Sequence, residues 1–318
     1  MFKNAVIYRI DSRWTPDLQS LERSLSKARF IRCSPSQAQS SGFVEPRGDA
    51  HAPLVESVGG QWIMRLCVET KKVPASAIQL MLQERLQQIE RSTGRKPGKK
   101  ESKELKEEIL LELLPHAFPT QATIGIWLDP DERLLVVDAG SQGKADKVAT
   151  ALVSAADGFA LSLVQTAETP ASCMAHWLRT DEEPSNFSVD RECELKATDE
   201  SKAVVRYGRH PLDIAEIKGH LQAGKVPTRL AMTWDSRVSL VLTDAFQLKK
   251  LTFLDTVFEG TASKQDEGFD ADVAIMTGEM QRVIKDMIDA VGGEATFKQS
   301  DDDGAVTASH DEAASAPF

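Results

Sequence analysis

The amino-acid sequence predicts an α+β fold made of mixed sheets and helices. Segments with helical spacing and segments with alternating polarity follow one another without a regular βαβ order. Short turns such as Asp129-Pro130-Asp131 join neighbouring strands into antiparallel pairs. The 318 residues, 41% of them hydrophobic, are enough to bury a substantial core in more than one region.

The N-terminal part of the chain is predicted to alternate strands and helices. Residues 4–10 alternate as in a strand, and Thr15 followed by Pro16 predicts an N-cap and a helix that continues to about residue 28. Residues 34–53 are rich in Ser, Gly, Pro and Gln, which is typical of a long surface connection. A strand at 61–68 follows.

A helical hairpin with a basic turn is predicted next. Helical spacing runs from Pro74 to about residue 92, is interrupted by TGRKPGKK, and resumes at 102–114. The stretch from Arg85 to Lys106 carries eight Lys or Arg and three Glu, whereas the whole chain has a net charge of −10. Clustered cations indicate a polyanion partner, although mixed Glu/Lys helices are also ordinary solvated faces.

The rest of the chain continues this mixture. Further strands are predicted at 123–128, 134–138, 159–164, 203–206, 229–234, 238–243 and 248–254, and further helices at 144–156, 171–178, 212–221 and 273–291. Residues 180–188 are assigned to a loop. The domain hypothesis has four parts: a central α+β region (1–73 with 123–165), a helical-hairpin tip (74–122), an α+β base region (166–294) and a disordered acidic tail (295–318).

Candidate catalytic and metal-binding motifs fail on their context. The segment from Gly219 to Lys225 matches GxxxxGK, but Val226 replaces the Ser/Thr that holds magnesium, and a helix stands where a strand is needed. Asp270 and Asp272 are the acids to test as ligands of a two-metal nuclease, yet acids at a helix start favour capping. The histidines and the four cysteines lack ligand spacing. The prediction is therefore no enzyme, no metal and no cofactor.

A second group of cations surrounds a Gly/Pro turn at residues 207–211. Arg209 and His210 stand on this turn, where donors can project towards phosphate oxygens, although a plain surface loop is the other interpretation. The group as a whole comprises six cations against two acids: Lys202, Arg206, Arg209, Lys218, Lys225 and Arg229, with Asp213 and Glu216. Phe118 lies between prolines 115 and 119 and is expected to be exposed, as a loop anchor or an interface plug.

Several long motifs carry a resemblance to a known family. They are FKNAVIYRI at 2–10, LLPHAF at 113–118, AGKVPTRLAMTW at 223–234, LKKLTFLD at 248–255, FDADVAIMTGEM at 269–280 and DAVGGE at 289–294. In this order they closely resemble the RdgC family of recombination-associated proteins, over about residues 1–294.

This resemblance implies a non-enzymatic, sequence-independent binder of double-stranded DNA that modulates recombination by restraining the recombinase RecA. It implies horseshoe-shaped subunits that pair into a ring-shaped homodimer around a basic hole. Phe118, with His116 beside it, then belongs to the dimer interface, and Arg209 with His210 faces the hole. His116 and His210 stand where other members can have Arg and Gln. The predicted DNA-binding residues are Arg206, Arg209, His210, Lys225, Lys96, Lys99, Lys100 and Lys103.

Residues 295–318 lie outside the resemblance. Asp301-Asp302-Asp303 and the final Pro317-Phe318 are similar to the tails of bacterial single-stranded-DNA-binding proteins. The tail is either a disordered solvated segment, a ligand for proteins that read a terminal Pro-Phe, or a competitor of DNA. The rival functions are a metal-dependent DNA-processing enzyme and a protein adaptor that acts directly on the recombinase. With neither an apolar leader nor an apolar run of about 18 residues, a cytoplasmic, nucleoid-associated protein without membrane contact is expected.

Overall fold

The structure is a computed structural model that describes residues 1–258 and 268–295, and it contains two antiparallel sheets. The first consists of β1 (Val6–Ile10), β2 (Gln39–Val44), β3 (Glu56–Val58), β4 (Gln61–Lys71), β5 (Pro119–Asp129), β6 (Leu134–Val137) and β7 (Leu161–Leu163). Its strand order is β2-β4-β5-β6-β1-β7, with β3 paired to β4. The second sheet has the order β12-β11-β10-β8-β9, from β8 (Phe187–Ala197), β9 (Val204–Gly208), β10 (Lys225–Trp234), β11 (Val238–Thr243) and β12 (Leu248–Phe253).

The helices connect and cover these sheets. They are α1 (Leu18–Lys27), α2 (Ala75–Thr93), α3 (Lys99–Leu113), α4 (Gln142–Ala155), α5 (Pro170–Thr180), α6 (Ala215–Gln222), α7 (Asp255–Phe258) and α8 (Gly268–Ala290). This mixture of helices and antiparallel sheets confirms the predicted α+β class.

The seven-stranded sheet is buried on both faces because its central strands are apolar at successive positions. Alternate residues of a strand point to opposite faces. One face, which includes Met64, Ile126 and Leu135, shares a core with α1 and α4. The other face, which includes Trp127 and Val136, belongs to a second core.

That second core joins the two sheets. It contains apolar residues from the inner face of the five-stranded sheet, from α5 and from the long helix α8. The sheets also meet through the backbone, since Ala5 and Leu248 exchange hydrogen bonds of 2.7 and 3.0 Å.

The helical hairpin α2–α3 connects the end of β4 to the start of β5, where Lys71 pairs with Pro119. Ile78, Leu82 and Ile109 form its small core, which is separate from the two larger clusters. Gly94 ends α2 in the left-handed conformation with φ of 70°. The hairpin is therefore held mainly by its own contacts and by the two long strands.

Several local predictions were wrong. Residues 34–53 are not only a connection, because they contain the edge strand β2 with Phe43 fully buried. The strand β8 replaces the end of the loop predicted at 180–188. Asp17, not Thr15, caps α1 by accepting a hydrogen bond of 3.2 Å from the Gln19 amide. Helix α3 begins at Lys99, before the predicted position 102, and α8 begins at Gly268, before 273.

The four-part division of the chain stays a prediction. The tail predicted at 295–318 lies outside the described residues except for Ala295. Across the part of the chain that the structure describes, no helix combines the length and the apolar character needed to span a bilayer.

Candidate nucleic-acid interface

The basic hairpin forms more internal ion pairs than its composition indicates. Arg85 of α2 lies 2.5 Å from Glu112, and Arg95 of the turn lies 2.8 Å from Glu101. The Arg95 hydrogen bond lowers the pKa of Glu101. Three lysines form longer pairs of 3.7 to 4.0 Å: Lys96 with Glu90, Lys100 with Glu104, and Lys103 with Glu107. These lysine pairs are highly exposed and contribute little stability.

Three hairpin cations stay available to a ligand. Among the described residues, no carboxylate forms an ion pair with Arg91, Lys99 or Lys106, and all three side chains are exposed. Of the predicted DNA-binding lysines of the hairpin, Lys99 is thus unpaired as far as the structure describes the chain, whereas Lys96, Lys100 and Lys103 have weak intramolecular partners.

Phe118 is strongly exposed, as its place between two prolines predicts. A 3-10 turn at Leu114–His116 ends α3, and the chain then enters β5 at Pro119. Leu114 is buried at the turn, so the following residues are directed away from the hairpin core, and Phe118 is 91% exposed. His116 is exposed as well. A fully solvated phenylalanine at the root of a basic hairpin is an uncovered apolar contact point.

The base cations lie on or beside the edge strand β9, on helix α6 and on the central strand β10 of the five-stranded sheet. Glu194 of β8 stands opposite Arg206 on β9 and opposite Arg229 on β10. The Arg206 Nε donates to Glu194 at 2.6 Å, and Thr228 donates to the same carboxylate at 2.7 Å. Desolvation acts to raise the pKa of Glu194, but these hydrogen bonds and the Arg229 charge outweigh it and lower the pKa.

The sequence count of six cations against two acids did not include the carboxylates that neutralise two of these cations in the folded structure. Glu194 neutralises much of Arg206, and Lys218 forms a 2.5 Å ion pair with Asp181. Both acids lie outside the counted stretch, 12 and 37 residues from their partners along the chain, and the folded structure brings them together. Within the described ranges, Lys202, Arg209 and Arg229 form no ion pair.

Contacts of His210 and Tyr207 stabilise the turn at residues 207–211. The His210 amide donates to the Arg191 carbonyl at 3.1 Å, and its ring centroid lies 5.9 Å from that of Tyr207. Burial, together with a 2.9 Å hydrogen bond to Glu216, raises the pKa of Tyr207 to about 12. Tyr207 therefore stays a protonated, packed support for the turn.

Arg209 adopts the left-handed conformation, with φ of 57°, and is exposed. This conformation is uncommon for a residue with a Cβ, and it persists only where the surroundings hold it. The anchored His210 supplies that restraint. The result is a guanidinium held at the surface without an acidic partner among the described residues.

Lys225 does not belong to a phosphate-binding loop, as the sequence context predicts. Gly219 lies inside α6, Gly224 follows the helix with φ of 85°, and Lys225 begins β10. The order is helix, turn, strand, which is the reverse of the strand, loop, helix order that a phosphate loop requires. The Lys225 ammonium lies 3.2 Å from Nδ1 of His220.

Of the two acids considered for metal catalysis, Asp270 has a structural role. Asp270 lies in the first turn of α8 and forms a 2.5 Å ion pair with Arg47. Over residues 1–258 and 268–295, no group of three or more His, Cys, Asp or Glu side chains is arranged to hold a metal ion.

The structure carries the two groups of cations on different parts of the fold. The hairpin lysines lie on α3 and on the turn before it, in the connection between β4 and β5 of one sheet. Arg206 and Lys225 lie on strands of the other sheet, and Arg209 directly follows β9. Their convergence on one inner wall of a dimer stays a prediction.

Comparison with known proteins identifies close relatives of this chain. A family model described as "Putative exonuclease, RdgC" matches residues 1–294. The chain is 43% identical over 299 residues to a protein of Dechloromonas aromatica named Recombination-associated protein RdgC, covering 92% of this chain and 98% of the relative. Proteins of the same name from Cupriavidus pinatubonensis and Bordetella pertussis are 41% and 38% identical, with the same coverage.

Proposed function

The chain belongs to the RdgC family, and from this premise we propose that it is a recombination-associated protein that binds double-stranded DNA without sequence preference and without cleaving it. It acts as a ring-shaped homodimer of horseshoe-shaped subunits and restrains RecA. It works in the cytoplasm at the nucleoid.

One observation carries the DNA-binding proposal. Within the residues that the structure describes, an acidic chain exposes cations without acidic partners at two places, the hairpin (Lys99 and Lys106) and the base turn (Arg209). Affinity for duplex DNA depends on the phosphates that are neutralised locally, not on the net charge of the protein. Acids elsewhere on the surface repel DNA and direct it to these cations.

The ring proposal rests on Phe118. An exposed apolar side chain is stabilised when a partner covers it, and a two-fold axis brings the same residue of both subunits into one contact. A closed ring around DNA remains bound by topology, so it does not need many tight phosphate contacts. Contacts to phosphates alone also explain why no base sequence is preferred.

The test measures binding and cleavage together. Purified full-length protein is titrated against duplexes of unrelated sequence at several salt concentrations, and separately incubated with circular and with linearised plasmid in the presence of Mg²⁺ or Mn²⁺. We expect equal affinity for all duplexes, a steep loss of affinity with salt, and intact plasmid.

Two other outcomes point to the rival functions. Metal-dependent cleavage of either plasmid form supports a nuclease, and degradation of the linear form alone supports the exonuclease that the family description names. Restraint of RecA by a variant that no longer binds DNA supports an adaptor that acts on the recombinase directly.

A further inference from the structure

Helix α3 places most of its charges on two opposite flanks. An α-helix turns about 100° per residue, so Lys99, Lys103 and Lys106 lie within an arc of about 60°. We call these three residues the lysine stripe. All three are exposed, and Lys99 and Lys106 form no ion pair among the described residues.

Four of the five acids of α3 occupy the other flank, whereas Glu107 lies about 40° from Lys103 around the helix and pairs with it at 3.9 Å. An arc of about 80°, centred opposite the lysine stripe, contains Glu101, Glu104, Glu108 and Glu112. The side that packs on α2, with Leu105, Ile109 and Leu113, lies between the two flanks. Arginines partly neutralise the acidic flank, because Arg85 pairs with Glu112 and Arg95 with Glu101.

Lys100 does not belong to the lysine stripe. It lies about 100° from Lys99 around the helix, on the face that points away from α2. Its neighbours on that face are Glu107, about 20° away around the helix, Glu104, 4.0 Å away, and the 61% exposed Leu111. A phosphate backbone that approached this face would meet carboxylates as well as the ammonium group.

We propose that the lysine stripe is the face of the hairpin that contacts the DNA backbone, with Lys106 as a phosphate contact and Lys100 outside the contact. This inference rests on the proposed function and specifies which flank of the hairpin performs it. The geometry fits, because Lys99 and Lys106 are seven residues apart, about 10 Å along the axis. That length corresponds to about three phosphate steps of one DNA strand.

The experiment compares Lys106→Gln with Lys100→Gln in the full-length protein. Both variants remove one positive charge from an exposed position of the same helix and introduce the same residue. The long-range field of the protein therefore changes equally, and only the local contact differs. Circular dichroism and the melting temperature check that both variants keep the fold.

Binding to a duplex of about 30 base pairs is measured between 50 and 300 mM salt, a range set by the counterion-release relation. For Lys106→Gln we expect the slope of log K against log salt to become shallower by about 0.9 for each lost phosphate contact. If affinity extrapolated to 1 M salt is unchanged, the same relation predicts about eightfold weaker binding at 0.1 M. Lys100→Gln is expected to retain the wild-type slope.

Equal slopes for the two variants, or a larger change for Lys100→Gln, would overturn the assignment of the flank while leaving DNA binding intact. Absence of binding by the wild-type protein would instead overturn the proposed function, and this inference with it.

Discussion

The replacement of Phe118 by alanine tests whether a partner subunit covers this residue. The side chain is 91% exposed in the isolated subunit, so nearly all of its apolar surface is available for burial. Full burial of a phenylalanine stabilises by about 1.5–3 kcal/mol. In a two-fold contact both copies contribute, which amounts to about 3–6 kcal/mol. The closed ring is then expected to be disfavoured by about a hundredfold to ten-thousandfold.

The subunit itself should be unaffected, because an exposed side chain contributes little to folding. We expect Phe118→Ala to change the free energy of unfolding by no more than about 0.5 kcal/mol, which a measurement of the melting temperature checks. Val153→Ala, which truncates another exposed apolar residue on α4, is the control.

The assay measures retention on relaxed circular plasmid after a high-salt wash, relative to linearised plasmid, together with the native mass. Phe118→Ala should lose retention on circles, whereas Val153→Ala should match the wild type. Unchanged dimer mass together with unchanged retention in Phe118→Ala would refute the argument that Phe118 closes a ring.

Three further predictions concern the core, a close backbone approach and the tail. Glu279→Gln should destabilise by about 2–4 kcal/mol at neutral pH, because Glu279 is 4% exposed and pairs with Arg237 and Arg282. The Arg237 hydrogen bond lowers the Glu279 pKa. The stability that the Glu279 carboxylate contributes is therefore present above the unfolded pKa and is lost as pH falls through the lower folded pKa. A difference in the free energy of urea unfolding between wild type and variant that stays constant below pH 4 would contradict this reasoning. Gly42→Ala should destabilise by about 1–3 kcal/mol, since a Cβ there would lie 2.5 Å from Cα of Phe30. The control Gly278→Ala has no neighbour within 4 Å and should be neutral or stabilising by up to about 1 kcal/mol. Equal changes of the melting temperature in the two variants would disprove the steric argument. Removal of residues 296–318 should tighten DNA binding at low salt if the acidic tail competes with DNA for the cations. If the tail is instead a ligand, its removal should abolish capture of a protein that reads a terminal Pro-Phe. No change in either measurement would leave a solvated tail as the remaining interpretation.

Elements with strong periodicity could be predicted from the sequence alone. The spacing of Ile78, Leu82 and Ile109 located both hairpin helices, and the alternation around Asp129-Pro130-Asp131 located the β5–β6 pair. These signals are local, because a helix or strand with one buried side repeats its apolar residues at a fixed interval.

The elements that were missed have weak local signals. Strand β8 carries acids on its outer side, so only Phe187, Cys193 and Leu195 mark its buried face. Edge strand β2 buries little besides Gly42 and Phe43, and its serines and glutamine resemble those of a loop. Both strands are stabilised by neighbours that are distant in the chain, which a local pattern does not contain.

The candidate site shows the same difference. The sequence by itself determined the class of fold, the family, and the positions of the cations and of Phe118, because composition and motif order are properties of the linear chain. Only the tertiary structure decided which cations are free to bind. Glu194 reaches Arg206 and Asp181 reaches Lys218 across folded segments, whereas Arg209 is left without an acidic partner among the described residues. A charge is neutralised by what lies within a few ångströms of it in space, and chain folding sets that distance independently of separation in sequence.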